Sequence, residues 1–239
     1  MDRAVTSADA TASVVDTAIE ALKREIEGGR LRPGERLPPE AELAGRMGLS
    51  RLSLREAVRA LTMAGVVEVR RGSGTFVTDL RPDTIMRRLG GFLELSQDGN
   101  MGELFECRRI LESEASALAA VRITDAELDD LGARIELMAT LTDPEELVRE
   151  DLAFHEAIAA AARNPTLCQL CATVARRTER ARIWRALVSH DVLSWTHQQH
   201  VSIYTALRQR DSLATYTAAS RHVADVQGWL EDRLGAEPS

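Results

Sequence analysis

A mainly α protein with one short β-hairpin is the fold class this sequence predicts, and three observations carry the prediction. Apolar residues recur at helical spacing along most of the 239 residues. Strand-like alternation is confined to residues 66–77, and aromatic residues make up only 4% of the chain. A polar, proline-containing stretch at Arg81–Asp83 separates the hairpin region from a long succession of helix patterns. Two domains are therefore expected, over residues 12–80 and 83–234, and a hydrophobic content of 44% is ample for two cores.

The first domain reads in order. Ser13–Gly28 is an amphipathic helix suited to pack beneath a reading head formed by the next fifty residues. Residues 37–77, LPPEAELAGRMGLSRLSLREAVRALTMAGVVEVRRGSGTFV, hold two short helix patterns broken at Gly48. In the first, Leu43 and Met47 share a face after Pro38, Pro39 and Glu40, residue types favoured in a first helical turn. Ser50 is a natural N-cap for the second helix, where Leu54, Val58, Leu61 and Thr62 form a buried stripe. Gly65 closes that helix as its C′ residue. Val66–Arg70 and Thr75–Val77 then read as strands joined by the tight turn Gly72-Ser73-Gly74. This order of elements is that of a winged helix-turn-helix, which reads double-stranded DNA.

The exposed side of the second helix carries Ser50, Arg51, Ser53, Arg55 and Arg59. Arg forks onto guanine edges or phosphate, and a helix N-terminus itself attracts phosphate. Arg70 and Arg71 add charge at the wing, and Arg36, Arg71 and Gly72 complete the candidate DNA-contacting set. A net charge of −7 is at odds with DNA binding until it is divided by region. Residues 30–71 hold nine Arg and five Glu, a local balance of +4, whereas residues 81–239 hold 18 Arg against 25 acidic residues. Positive charge is thus local to the reading head, as in a modular regulator rather than an unselective nucleic-acid coat.

These residues resemble the GntR-type winged-helix regulators, whose pattern runs roughly LPxExELAxxxGxSRxxxREAxxxLxxxGxVxxxxGxGTxV. The chain supplies Leu37, Pro38, Glu40, Glu42, Leu43, Ala44, Gly48, Ser50, Arg51, Arg55, Glu56, Ala57, Leu61, Gly65, Val67, Gly72, Gly74, Thr75 and Val77. It departs from the pattern at Ala41, where the family has a DNA-contacting Arg, and at Leu52 and Ser53 after the Ser-Arg pair. Both departures point to an operator or phosphate-contact set different from the family's commonest one.

Other classes are disfavoured. No run approaches the ~18–20 apolar residues that span a bilayer, and the polar N-terminus MDRAVTSADATAS lacks the apolar core of a secretory signal. No membrane partner and a cytoplasmic location are expected. The three cysteines, Cys107, Cys168 and Cys171, are too few and odd in number for a disulfide framework. Cys168-x-x-Cys171 falls in a helical pattern where both share an apolar face, and reads as two small buried hydrophobes.

Helices are expected near 83–96, 101–121, 124–141, 144–162, 166–188, 191–209 and 212–234. Thr124 and Thr142 or Asp143 serve as N-caps. Short connections make this an all-α bundle of six or seven antiparallel helices. Asp151 and His155 lie four apart and leave one helix on the same face. His200 and His222 fall on later helices, beside Ile203 and Leu207 and beside Val226 and Leu230. Were the four to converge, three imidazoles and a carboxylate would suit Zn²⁺, Ni²⁺, Mn²⁺ or Fe²⁺ with positions left open.

D-x-x-F-H at 151–155, Asn164-Pro165, the two later His residues and R-x-x-x-E at 108–112 resemble the FCD ligand domain of the FadR-like branch of GntR regulators. The resemblance implies a divalent metal, Zn, Ni or Mn, held by Asp151, His155, His200 and His222. It also implies that Arg108 faces an effector cavity, pairing with a carboxylate. Gln199 stands where the family often has Glu, which touches the orientation of the neighbouring imidazole. His190 and His197 match no ligand position and read as exposed.

The expected function is a homodimeric, ligand-responsive transcription repressor that reads a short palindromic operator and answers to a small organic acid. The alternatives are a DNA-binding protein with a purely structural metal and a metalloenzyme. Against the enzyme, His155-Glu156 opens HEAIA, so Ala159 stands where a zinc protease needs its second His. Glu156 also leaves its helix about 100° from His155. No catalytic residue is assigned.

Overall fold

The computed structural model describes residues 7–86, 101–188 and 191–234. The chain divides into two compact units, Met1–Phe92 and Leu93–Ser239. The first holds α1 (Ser7–Glu27), α2 (Glu40–Met47), α3 (Arg51–Met63), β1 (Val67–Arg70) and β2 (Gly74–Val77).

Local signals set these boundaries. Gly48 ends α2 in the left-handed region at φ 66°, where a side chain would be strained. Ser50 caps α3 by accepting from the Ser53 amide at 3.0 Å. Leu54, Val58 and Leu61 are buried as the periodicity required, together with Ala57, while Thr62 is half-buried and donates its hydroxyl to the Val58 carbonyl. They meet Leu43 and Ala44 of α2 and Ala18 and Leu22 of α1 in one core. The hairpin is antiparallel, with Val67 opposite Val77 and Arg70 opposite Gly74. A third extended segment, absent from the sequence expectation, lies against β2: the Leu37 amide donates to Thr75 and the Val77 amide donates to Glu35. Two residues of extended pairing are too few to show as periodicity.

The second unit contains α4 (Met101–Ala120), α5 (Asp125–Met138), α6 (Pro144–Ala161), α7 (Pro165–Arg177), α8 (Glu179–Val188), α9 (Asp191–Arg208) and α10 (Ser212–Leu234). A helical stretch is described over 82–86, so the helix expected at 83–96 lies mostly outside the described residues. Thr124 starts α5 with a reciprocal capping box to Glu127, and Asp143 starts α6 ahead of Pro144. Leu128, Leu131, Ile135, Phe154, Ile158, Ile203 and Leu207 form the main core between α5, α6 and α9. Ala115, Ala159, Ala162 and Cys171 make a second cluster, with Cys168 at its edge. Both cysteines therefore pack as small hydrophobes, and burial pushes the Cys171 thiol up to about 12.

One expected helix is two. The segment 166–188 breaks at Thr178, which is buried and donates its hydroxyl to the Ala175 carbonyl at 3.0 Å. The Arg182 guanidinium reaches back to the same carbonyl at 3.0 Å. The Thr178 amide also donates to that carbonyl at 3.2 Å, an i to i+3 bond that tightens the last turn where the chain bends. No helix among the described residues is long and apolar enough to cross a membrane.

Candidate functional site

On the reading head, Arg51, Arg55, Arg59 and Arg71 are exposed. Arg55 pairs with Glu40 of α2 at 2.9 Å and Arg59 with Glu56 at 2.7 Å, both contacts open to solvent. Such pairs contribute little and exchange readily for phosphate. The Ser50 hydroxyl is engaged as the α3 cap and touches the Ser53 hydroxyl at 2.7 Å. Arg36 lies across the wing: a Cβ on Gly74, whose φ is 110°, would meet its Nε at 2.6 Å. Gly72 takes φ 74° in the wing turn. Arg70 is held on the strand by Glu68 and by the Phe76 ring, 4.3 Å from its guanidinium carbon, which leaves Arg71 at the tip.

In the second unit α6 contributes Asp151 and His155, α9 His200 and α10 His222. All four are buried, and one donor atom from each falls within 4.8 Å of every other. His155 Nε2 lies 3.2 Å from His222 Nε2, and Asp151 Oδ1 lies 3.1 Å from His200 Nε2 and 3.7 Å from His155 Nε2. Donors bound at ~2.0–2.2 Å to one ion stand about 3–4 Å apart, which these separations match.

The hydrogen bonds behind the imidazoles sharpen the fit. His222 Nδ1 donates to Gln199 Oε1 at 3.0 Å, and Gln199 in turn donates its amide to Asp225. His155 Nδ1 faces Glu112 Oε2 at 3.5 Å, an acceptor that favours the proton on that nitrogen. Both rings then turn bare Nε2 lone pairs toward each other at 3.2 Å. Two facing lone pairs repel unless a cation lies between them. His200 Nδ1 is buried without a hydrogen-bond partner among the described residues, and its Nε2 faces only Asp151 Oδ1. Phe154, the aromatic of the D-x-x-F-H motif, packs its ring 4.7 Å from that of His200.

The electrostatics agree. Burial pushes His155 down to about 4, and burial together with the neighbouring imidazoles holds His222 well below its usual range. Both are thus the neutral donors a metal requires. Burial works against ionising Asp151, but the Arg182 guanidinium, His200 and His155 outweigh it and keep the carboxyl well below the ordinary carboxylate range. The four residues therefore suit a divalent cation of N/O preference, and Asp151, His155, His200 and His222 would be its ligands.

Arg108 is fully buried and donates from Nε to Glu112 Oε1 at 2.7 Å, with both terminal nitrogens lacking a hydrogen-bond partner among the described residues. A small cavity beside Asp151 and His222 is lined by two arginines the sequence did not single out, Arg182 and Arg185. Both are buried on α8, and Arg182 pairs with Asp151. No local sequence signal marks them, and they are buried on the helix that starts just after the break at Thr178. His197 is half-buried rather than exposed, because it lies one turn before His200 on the flank of the same buried face. His190 lies outside the described residues.

Residues 15–77 match the family described as bacterial regulatory proteins, gntR family, and residues 103–225 match the FCD domain. The HTH-type transcriptional repressor NanR of Citrobacter rodentium is 32% identical over 219 residues, covering 89% of this chain and 82% of that protein. The HTH-type transcriptional regulator LutR of Bacillus subtilis is 28% identical over 87% of this chain and 99% of its own length. Among solved structures, Streptococcus agalactiae GntR aligns with a TM-score of 0.60 and 28% identity, covering 90% of this chain and 99% of that one. These relatives are DNA-binding transcription regulators and not enzymes. The head with its capped recognition helix and the bundle with its buried Asp-His cluster thus have one common setting: this chain belongs to the GntR family of bacterial transcription regulators and carries an FCD domain.

Proposed function

We propose that this regulator is a homodimeric repressor that reads a short palindromic operator and is tuned by a small carboxylate effector at a metal ion. The ion is held by Asp151, His155, His200 and His222, and is Zn²⁺, Ni²⁺ or Mn²⁺. The observation that carries the reading is the convergence of four buried donors from three helices to within 4.8 Å. The repressor role draws on a relative of that name at 32% identity. When bound, the ion supplies Lewis-acid positions for a carboxylate oxygen. Arg108, with two unbonded guanidinium nitrogens, offers a second hold on the same carboxylate. Arg36, Arg51, Arg55, Arg59, Arg71 and the Gly72 turn meet the DNA, and Ser50 and Ser53 hold the N-terminus of the recognition helix against phosphate. The effector acts only through a difference in affinity between the DNA-competent arrangement and the other.

The test is direct. Operator fragments are selected from a random duplex library, and affinity is measured by fluorescence anisotropy on metal-stripped and Zn²⁺-loaded protein with a panel of carboxylic acids. An acid that weakens binding of the loaded protein, and has no effect on His155→Ala, supports the proposal. A metal that raises the melting temperature while no acid alters operator affinity reduces the ion to a structural role and overturns the effector reading.

A further inference from the structure

The buried charges around the Asp-His cluster do not balance. Arg108, Arg182 and Arg185 face two carboxylates, Glu112 and Asp151, all five being at most 6% exposed. The ligating imidazoles are neutral. Among the described residues these five groups carry one net positive charge, which the half-buried Asp225 and Glu179 offset from the rim beside Arg185 and Arg182, and a divalent ion would add two more. A monocarboxylate on the ion would leave the Arg182 and Arg185 side of the site without an anion of its own, and buried charge without a close partner is costly.

The surplus has a location. Arg182 and Arg185, one turn apart on α8, both line the cavity that Asp151 and His222 border. The Nε of each is buried without a hydrogen-bond partner among the described residues. Leu147, Val148, Ala186 and Val226 form the apolar part of the wall, suited to a short carbon chain. Arg108 is not among the residues lining this cavity, so the α8 pair stands apart from it.

We propose that Arg182 and Arg185 receive a second acidic group, which makes the effector class a short dicarboxylic acid. One carboxylate joins the ion and Arg108, and the other meets the two α8 guanidiniums. This deepens the metal-and-carboxylate reading and rests on it. The cavity has a volume of about 20 Å³, room for roughly one water. A four-carbon acid therefore enters only as α8 shifts outward, and that helix joins α7 through the single turn residue Thr178. The same shift withdraws Arg182 from Asp151 and leaves that carboxylate to the ion.

The experiment is calorimetric titration of Zn²⁺-loaded full-length protein with two pairs of acids differing only in the second carboxylate. These are succinate against butanoate, and malate against 2-hydroxybutanoate. The wild type is expected to bind the diacid at least about tenfold more tightly, or about 1.4 kcal/mol. Arg185→Gln should collapse that ratio toward one, and Arg185→Lys, which keeps the charge, should restore part of it. Equal affinities for both members of a pair in the wild type overturn the proposal and leave the carboxylate effector standing. So does a ratio that survives Arg185→Gln. If Zn²⁺ binds and none of the four acids does, the proposal falls together with the effector reading. If Zn²⁺ itself does not bind, the metal site falls first. A folding defect in Arg185→Gln would show as lost Zn²⁺ binding, and Arg182→Lys then provides the second variant: its shorter reach should lower the ratio.

Discussion

Gln199→Leu isolates what orients the third imidazole. His222 is 1% exposed, and its Nδ1 has Gln199 Oε1 as acceptor at 3.0 Å. Leucine is somewhat larger and wholly apolar, so the change deletes the acceptor without opening a cavity. The freed N–H has no water to turn to, which costs about 1–3 kcal/mol of fold stability whether or not metal is bound. Metal affinity suffers separately. Without the acceptor the proton is no longer pinned on Nδ1, and an Nε2 that carries a proton is no ligand. Loss of such an orienting bond lowers metal affinity about 10–100-fold, or about 1.4–2.7 kcal/mol. Competition against a chromophoric chelator measures the affinity, and thermal unfolding of metal-free protein measures the stability. Asp225→Asn should give a smaller loss by the same route, since Asp225 anchors the Gln199 amide. A Gln199→Leu protein that is less stable but binds Zn²⁺ as the wild type does would refute the orienting role.

Other perturbations test separate links. His155→Ala removes one of four donors and leaves the Glu112 and His222 contacts unanswered, so Zn²⁺ binding should fall below detection at micromolar protein, as read by the same chelator competition. Gly74→Ala places a Cβ at φ 110° and 2.6 Å from Arg36 Nε; the strain of about 1–3 kcal/mol should lower the melting temperature and weaken DNA binding in an anisotropy assay. Arg71→Ala should weaken binding of all duplexes alike and reduce the salt slope by about one. The Glu127 carboxylate accepts from the Thr124 amide and hydroxyl, which holds its pKa below the usual value. Its contribution is therefore full above the unfolded pKa of about 4.3 and is lost as pH falls through the lower folded value. The melting-temperature gap between wild type and Glu127→Gln should be constant from pH 7 to pH 5 and close below pH 4.

Sequence alone determined whatever neighbours along the chain decide. The α2–α3 turn at Gly48, the Ser50 and Thr124 caps and the wing glycines are set within four or five residues, where hydrogen-bond geometry and φ leave little choice. Asp151 and His155 were legible as a pair for the same reason, because helical spacing alone puts both on one face. That His200 and His222 lie on apolar faces was also readable, since a stripe such as His200, Ile203 and Leu207 is periodic. What only the tertiary structure decided is how separate helices meet. The 3.2 Å approach of His155 and His222 depends on α6 and α10 packing together, and no local signal encodes a contact 67 residues apart. The inward placement of Arg182 and Arg185 goes with the break at Thr178, where the Thr178 hydroxyl and the Arg182 guanidinium both reach the Ala175 carbonyl. An arginine reads as solvent-facing until a carboxylate and a cavity are brought to it, and here both come from other helices.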